Sequence, residues 1–437
     1  MNKLLLMTAV FVAAGFAVLF GGVFGETSGT APAALIEAQT AENFKTGFSL
    51  GGNTTSIVLQ LQSTLHASPS DQHSWALLGL AYEQRARETG DPAYYTKAQG
   101  ALDRAHALDS KDYLALSGLG SLALSRHRFR EALRFGEKAR DLSPGTARNY
   151  GVIGDALVEL GRYRKGFRFF DQMSKLRPSL ASYARVSYAR ELLGRTEAAV
   201  RAMKLAVSAA VGEAEPTAWT HVQLGKLYFN HGRYAAAAHE YRIALAAFPG
   251  YAYGLDALAQ ARAAQGRLGE AIELERRAGE AIPLPQYVAF LGDLYRVSGR
   301  PIAARRRYAL IGAIQKLLRA NGVKTDLELA LFQVDHGIDL PGALRRARVA
   351  RADRPSIDGD DTLAWALARN GRCGEALGYS KRALRLGTLD ALKFFHRGMI
   401  ERCLSRRTET RLWLTRALDL NPHFSVLWAP VARRALR

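Results

Sequence analysis

Punctuation at a nearly fixed interval constrains this chain more than any other feature. Gly-Arg pairs stand at Gly161-Arg162, Gly194-Arg195, Gly232-Arg233, Gly266-Arg267, Gly299-Arg300 and Gly371-Arg372, with spacings of 33, 38, 34 and 33 over the first five. Prolines fall 34 residues apart at Pro144 and Pro178, and again at Pro249 and Pro283, and the pattern returns at Pro422. Between these marks the apolar residues follow i, i+3, i+4, i+7, as in Leu224, Leu227 and Tyr228, then Ala237, Tyr241 and Ala244. That period belongs to amphipathic helices, two per interval. No run alternates with period two for long enough to make a strand. A unit of this size cannot bury its apolar face alone, so successive units must stack.

The residues at fixed places within the interval resemble the tetratricopeptide repeat family. Its pattern sets a bulky residue, Leu-Gly and Tyr on a first helix, then Ala, an aromatic, Ala and a closing Pro on a second. This chain has Trp75, Leu78-Gly79 and Tyr82; Tyr150, Ile153-Gly154, Phe170 and Pro178; Leu224-Gly225, Tyr228, Ala237, Tyr241, Ala244 and Pro249; and Leu291-Gly292, Tyr295, Ala304 and Tyr308. The resemblance implies an all-α, right-handed superhelical solenoid of stacked antiparallel helix pairs. About ten units run from residue 72 to 422, after a lone second helix at Thr54 to His66 and before a capping helix at Phe424 to Leu436. Departures are an insertion around Arg87 to Ala93, a second helix in the seventh unit that runs to about Ala320, and an eighth unit that keeps Ala350 and Pro355 without Leu-Gly.

The N-terminus reads as an export element. After Met1-Asn2-Lys3, no charge occurs from Leu4 through Phe24. One cation before such a run is the layout of a signal peptide, and its length also meets the ~20 residues that span a bilayer. The expected division is therefore a signal peptide or transmembrane anchor at 1–25, a Thr-, Ser- and Gly-rich tether at 26–52, and the solenoid at 53–437. Cleavage and retention are both open. Either places the repeat region outside the cytoplasm, with membrane contact at the N-terminus.

At 437 residues the chain exceeds a single hydrophobic core, and 48% hydrophobic residues with 14 prolines suit a fully folded array. Lys and Arg number 60 against 40 Asp and Glu, a formal charge of +20. The excess is spread along solvated helix faces, which implies at most a weak attraction to anionic envelope surfaces. No interleaving of basic and aromatic residues makes a platform for nucleic acid, so no specific nucleic-acid binding is expected.

The motifs that carry chemistry fail on inspection, and the chain reads as neither an enzyme nor a cofactor or metal protein. Gly118-Leu119-Gly120 sits in a helical repeat without a preceding strand. Gly225-Lys226 lacks a phosphate loop, and His239-Glu240 lacks a second His one turn on. Asp358, Asp360 and Asp361 lack the later acidic ligand of a calcium loop and read as a helix-capping cluster. Cys373 opens the second helix of the ninth unit and Cys403 ends the first helix of the tenth. Those ends should adjoin, so a disulfide fits an oxidising compartment, with two unpaired thiols as the alternative.

In the resembled family, first helices line a concave groove that takes up peptides from partners. Positions on those helices not used for packing are Asp155, Tyr188, Lys226, Phe229, Asp256, Gln260, Asp293, Arg296 and Trp365. The expected function is an exported or membrane-anchored scaffold or adaptor that binds a protein or peptide partner there. The alternative is an envelope assembly factor resembling the tetratricopeptide subunits of cytochrome c maturation.

Overall fold

The computed structural model describes residues 54–210 and 214–437. The expected N-terminal segment at 1–25 and tether at 26–52 lie outside the described residues. No helix among the described residues is long and apolar enough to cross a membrane.

Helix α1 (Thr54–Ala67) is a lone second helix, as the periodicity predicts. Ten antiparallel pairs follow, each packed on the next, the seventh meeting the eighth through side chains such as Tyr308 on Phe332 and His336. The first five are α2 (Gln72–Thr89) with α3 (Ala93–Leu108), α4 (Tyr113–Ser125) with α5 (Phe129–Leu142), α6 (Ala147–Glu159) with α7 (Tyr163–Leu176), α8 (Leu180–Leu192) with α9 (Thr196–Ser208), and α10 (Ala214–Asn230) with α11 (Tyr234–Ala247). The second five are α12 (Ala252–Ala264) with α13 (Leu268–Ala281), α14 (Pro285–Val297) with α15 (Pro301–Ala320), α16 (Asp326–His336) with α17 (Leu340–Asp353), α18 (Ile357–Arg369) with α19 (Cys373–Ala383), and α20 (Ala391–Cys403) with α21 (Arg407–Leu420). The cap α22 (Trp428–Leu436) starts four residues later than expected, because the Ser425 hydroxyl caps the N–H groups of Leu427 and Trp428 and keeps Phe424 to Leu427 outside the helix. The pairs wind into a right-handed superhelix.

The repeated residues explain the pairing. In the fifth unit Gly225 lets Tyr241 lie flat against α10, since a Cβ there would sit 2.3 Å from the ring. The same fit joins Gly154 to Phe170 and Gly292 to Tyr308, at 2.4 Å each. Phe170 and Tyr241 are almost fully buried. A buried aromatic of this size contributes roughly 1.5–3 kcal/mol, and its truncation to Ala costs about 3–5 kcal/mol. Gly118 and Gly120 serve packing too: Cβ atoms there would meet Leu102 at 2.5 Å and Val152 at 2.9 Å. Each Gly-Arg pair is the turn between the two helices, with the glycine left-handed at φ between 68° and 77°. A non-glycine residue is disfavoured there by about 1–2 kcal/mol.

The superhelix closes on itself, which nothing in the periodicity announces. Loops between the two helices of early units touch loops that follow units nearly six repeats later. Lys324 N–H donates to Arg126 C=O at 3.0 Å, Ile357 N–H donates to the Tyr163 hydroxyl at 2.6 Å, and Asn421 Nδ2 donates to Phe229 C=O at 2.9 Å. The Thr388 hydroxyl donates to Leu192 C=O. Arg354, almost wholly buried in this seam, pairs with Glu159 and reaches Glu328 at 3.3 Å. Burial lowers the Arg354 pKa, but the carboxylates of Glu159 and Glu328 outweigh it and keep the guanidinium charged. Apolar contact accompanies the polar seam: Tyr82, Tyr95 and Leu102 share one core with Ile311, Ile314 and Leu318.

Candidate functional site: a cavity inside the superhelix

Closure of the superhelix converts its concave face into a cavity of about 620 Å³, walled by first helices from the fourth unit to the tenth. Six of the nine expected groove residues line it: Tyr188, Lys226, Phe229, Asp256, Gln260 and Asp293. They come from α8, α10, α12 and α14, whose inward faces succeed one another around the superhelix.

The other three are elsewhere. Asp155 is 1% exposed and accepts a forked set of bonds from Arg185, at 2.7 Å to Nη2 and 3.1 Å to Nε, so it links α6 to α8 inside the core. Trp365 is 2% exposed, stacks on His396 at 4.6 Å and donates its indole N–H to Asp335 at 2.9 Å. Both were expected to be free of packing, but the next first helix covers each, α8 through Arg185 and α20 through His396, and Trp428 of α22 also covers Trp365. Arg296 is exposed and does not line the cavity.

The periodicity missed several wall residues. Glu191 and Tyr253 sit one turn from Tyr188 and Asp256 on the same faces, and Trp219 lies two turns before Lys226. That helical offset was the signal that could have found them.

The wall is dense in ionisable groups. Burial pushes the Glu191 and Asp256 carboxyls up to about 6 each, against the nearby Asn230 bond for the first and Lys226 for the second. Gln260 Nε2 donates to both Asp256 oxygens at 3.0 Å. Wholly buried Glu275, behind Asp256, is held well above the carboxylate range by burial and by its neighbour's charge. Burial pulls Lys226 down, with Asp256 and Glu191 opposing. Further round, Asp293 accepts the Tyr308 hydroxyl and His336 Nε2, both at 2.7 Å, while His336 Nδ1 lies 2.7 Å from Phe332 C=O. Burial lowers the His336 pKa, but those partners outweigh it and raise it above 6.5.

Basic side chains engage every member of the capping cluster. Asp358 pairs with Lys393 at 2.8 Å, Asp360 with Arg385 at 2.8 Å and Arg351 at 3.1 Å, and Asp361 with His396 at 2.9 Å. No group of His, Cys, Asp and Glu among the described residues is arranged to hold a metal ion. Cys373 and Cys403 are joined by a disulfide with a Cα–Cα distance of 6.2 Å, where α19 meets α20.

Paired antiparallel helices that stack through a Gly-aromatic contact and present their first members inward define an α-solenoid repeat protein. More narrowly, residues 222–284 match the tetratricopeptide repeat family, and the packing of Gly225 on Tyr241 within this stretch recurs in the third and seventh units. No curated protein matches the chain. Among solved structures, it is similar to MamA at 18% identity, over 39% of this chain and 92% of that one, with a TM-score of 0.30. YrrB, described as a TPR protein with an unusual peptide-binding site, aligns at 19% identity over 42% of this chain and 93% of that one, with a TM-score of 0.29. A human IFIT1 dimer with PPP-AAAA aligns at 15% identity over 85% and 87% of the two chains, with a TM-score of 0.47.

Proposed function

We propose that this protein is a non-catalytic scaffold or adaptor that holds a segment of a partner polypeptide inside its superhelix, with the repeat region outside the cytoplasm. The observation that carries the reading is the convergence of Tyr188, Lys226, Phe229, Asp256, Gln260 and Asp293, from four successive first helices, on one cavity. Aromatic faces beside a few placed polar groups suit a short peptide stretch, and a volume of about 620 Å³ is within the range of ligand pockets. Export is supported by the uncharged run from Leu4 through Phe24 and by the Cys373–Cys403 bridge, a bond that persists in oxidising compartments.

The reading is tested by placing a photoreactive side chain at Phe229, on the cavity wall, or at Leu205, on the outer surface of α9. Cross-links to a polypeptide from position 229 and not from 205 support it. Equal labelling at the two positions, or none at either, removes it. A C-terminal reporter enzyme that folds only in an oxidising compartment decides the location.

A further inference from the structure

The chain carries a net +20, yet its cavity has the opposite sign. Seven carboxylates line the wall against Lys226 and Lys393, and among the described residues no arginine does. Five of the seven are engaged: Asp358 and Asp390 by Lys393, Glu328 by Arg354, Asp293 by His336 and Tyr308, and Asp335 by the indoles of Trp365 and Trp428. Glu191 and Asp256 differ. Each receives hydrogen bonds from a neutral amide, Asn230 at 3.2 Å and Gln260 at 3.0 Å, and no described cation lies within 4.0 Å of either.

Other acceptors on the same wall are unmet. Gln315 and Thr325, 1% and 3% exposed, line the cavity from α15 and from the loop before α16. Gln315 Oε1, Thr325 Oγ1 and Glu328 Oε2 have no hydrogen-bond partner among the described residues. A buried polar group left unpaired costs about 1–3 kcal/mol. The wall is thus short of donors and of positive charge.

We propose that the cavity takes the guanidinium or ammonium group of a basic peptide segment, with Glu191 and Asp256 as its counter-charges. The inference rests on the peptide-holding reading above and adds the chemistry of the segment. A guanidinium presents five N–H donors and no acceptor, which complements an acceptor-rich wall. Tyr188, Trp219, Phe229 and Tyr253 supply ring faces of the kind that attract such cations. An anionic segment would instead bring its charge against two carboxylates that lack ion-pair partners.

The test is fluorescence anisotropy of the full chain with short labelled peptides of equal length, rich in Arg, in Ser or in Glu, at about 0.15 M salt where diffuse attraction is screened. The Arg peptide is expected to bind at least about tenfold tighter than the Ser peptide. A Glu191→Gln, Asp256→Asn variant, nearly isosteric, should lose that margin. A control variant, Glu270→Gln with Glu273→Gln on the exposed face of α13, should retain it. Equal binding of Arg and Ser peptides overturns the charge inference and leaves the peptide reading standing. Undiminished Arg-peptide binding by the cavity variant overturns it too, by placing the attraction elsewhere. Binding of free arginine amide without any peptide removes the peptide occupant and the reading beneath it. A melting temperature that collapses in the cavity variant is separated from lost recognition by the milder Glu191→Gln alone, which should lower affinity for the Arg peptide and not for the Ser peptide.

Discussion

The Tyr163 hydroxyl accepts the backbone N–H of Ile357 at 2.6 Å, although the two residues are 194 apart in sequence. Tyr163 stands at the start of α7 in the third unit, and Ile357 opens α18 in the ninth. Their bond is one stitch of the seam that makes the groove a cavity. Tyr163→Phe keeps the ring and strands a buried N–H, so it should cost about 1–3 kcal/mol. Urea denaturation of the two proteins measures it, and an unchanged midpoint would deny the seam a role in stability.

Gly161 and Gly299 separate two effects of one substitution. Both are left-handed, at φ 71° and 76°, so alanine strains either by about 1–2 kcal/mol. Only at Gly161 would the new Cβ also press on the seam, 2.3 Å from Pro355 O, whereas nothing lies within 4 Å at Gly299. Gly161→Ala should therefore lower the melting temperature more than Gly299→Ala and raise hydrogen exchange near residue 357. Equal losses would mean that the seam yields without cost.

His336 makes stability depend on pH. Its folded pKa is raised, so the stabilisation is full below the unfolded value near 6.5 and is lost as pH rises through the folded value. The groups facing it are Asp293 and Tyr308, with Asp335 nearby. Replacing His336 with Asn should flatten the decline of melting temperature between pH 6 and 8 relative to the wild type. Parallel profiles for the two proteins would remove His336 as the cause.

The bridge between Cys373 and Cys403 closes a loop across 30 residues, which in the chain-entropy account stabilises by roughly 3 to 4 kcal/mol. Thiol titration of the unreduced, denatured protein should find neither cysteine free. Reductant should lower the melting temperature of the wild type and leave a Cys373→Ala, Cys403→Ala variant unmoved.

The helix pairs were legible in the sequence because their signals are local. Gly-Arg and Pro mark the turns, and Leu-Gly with a following aromatic marks the contact within a unit, so even the long α15 ending at Ala320 could be read in advance. The cavity was only partly legible. Tyr188, Lys226, Phe229, Asp256, Gln260 and Asp293 follow from counting around first helices, but whether a given inward position meets space or another helix depends on the small rotation between units. Trp365 and Asp155 show the consequence: same helix face, yet one is sealed by His396 and Trp428 and the other by Arg185. The seam was illegible for the same reason, since no residue in a turn such as Gly161-Arg162 encodes how far the winding must go before Pro355 arrives.

Repeat arrays ordinarily behave as one-dimensional chains of neighbours, in which units melt and form with little regard for distant ones. Contacts spanning 194 residues break that independence by coupling the third unit to the ninth. They also set an order of events during synthesis. At about 5–20 residues per second, Ile357 emerges roughly 10 to 40 s after Tyr163, so early units must wait as an open spiral. A partner segment present during that interval could be enclosed as the ring shuts, without threading through a finished wall.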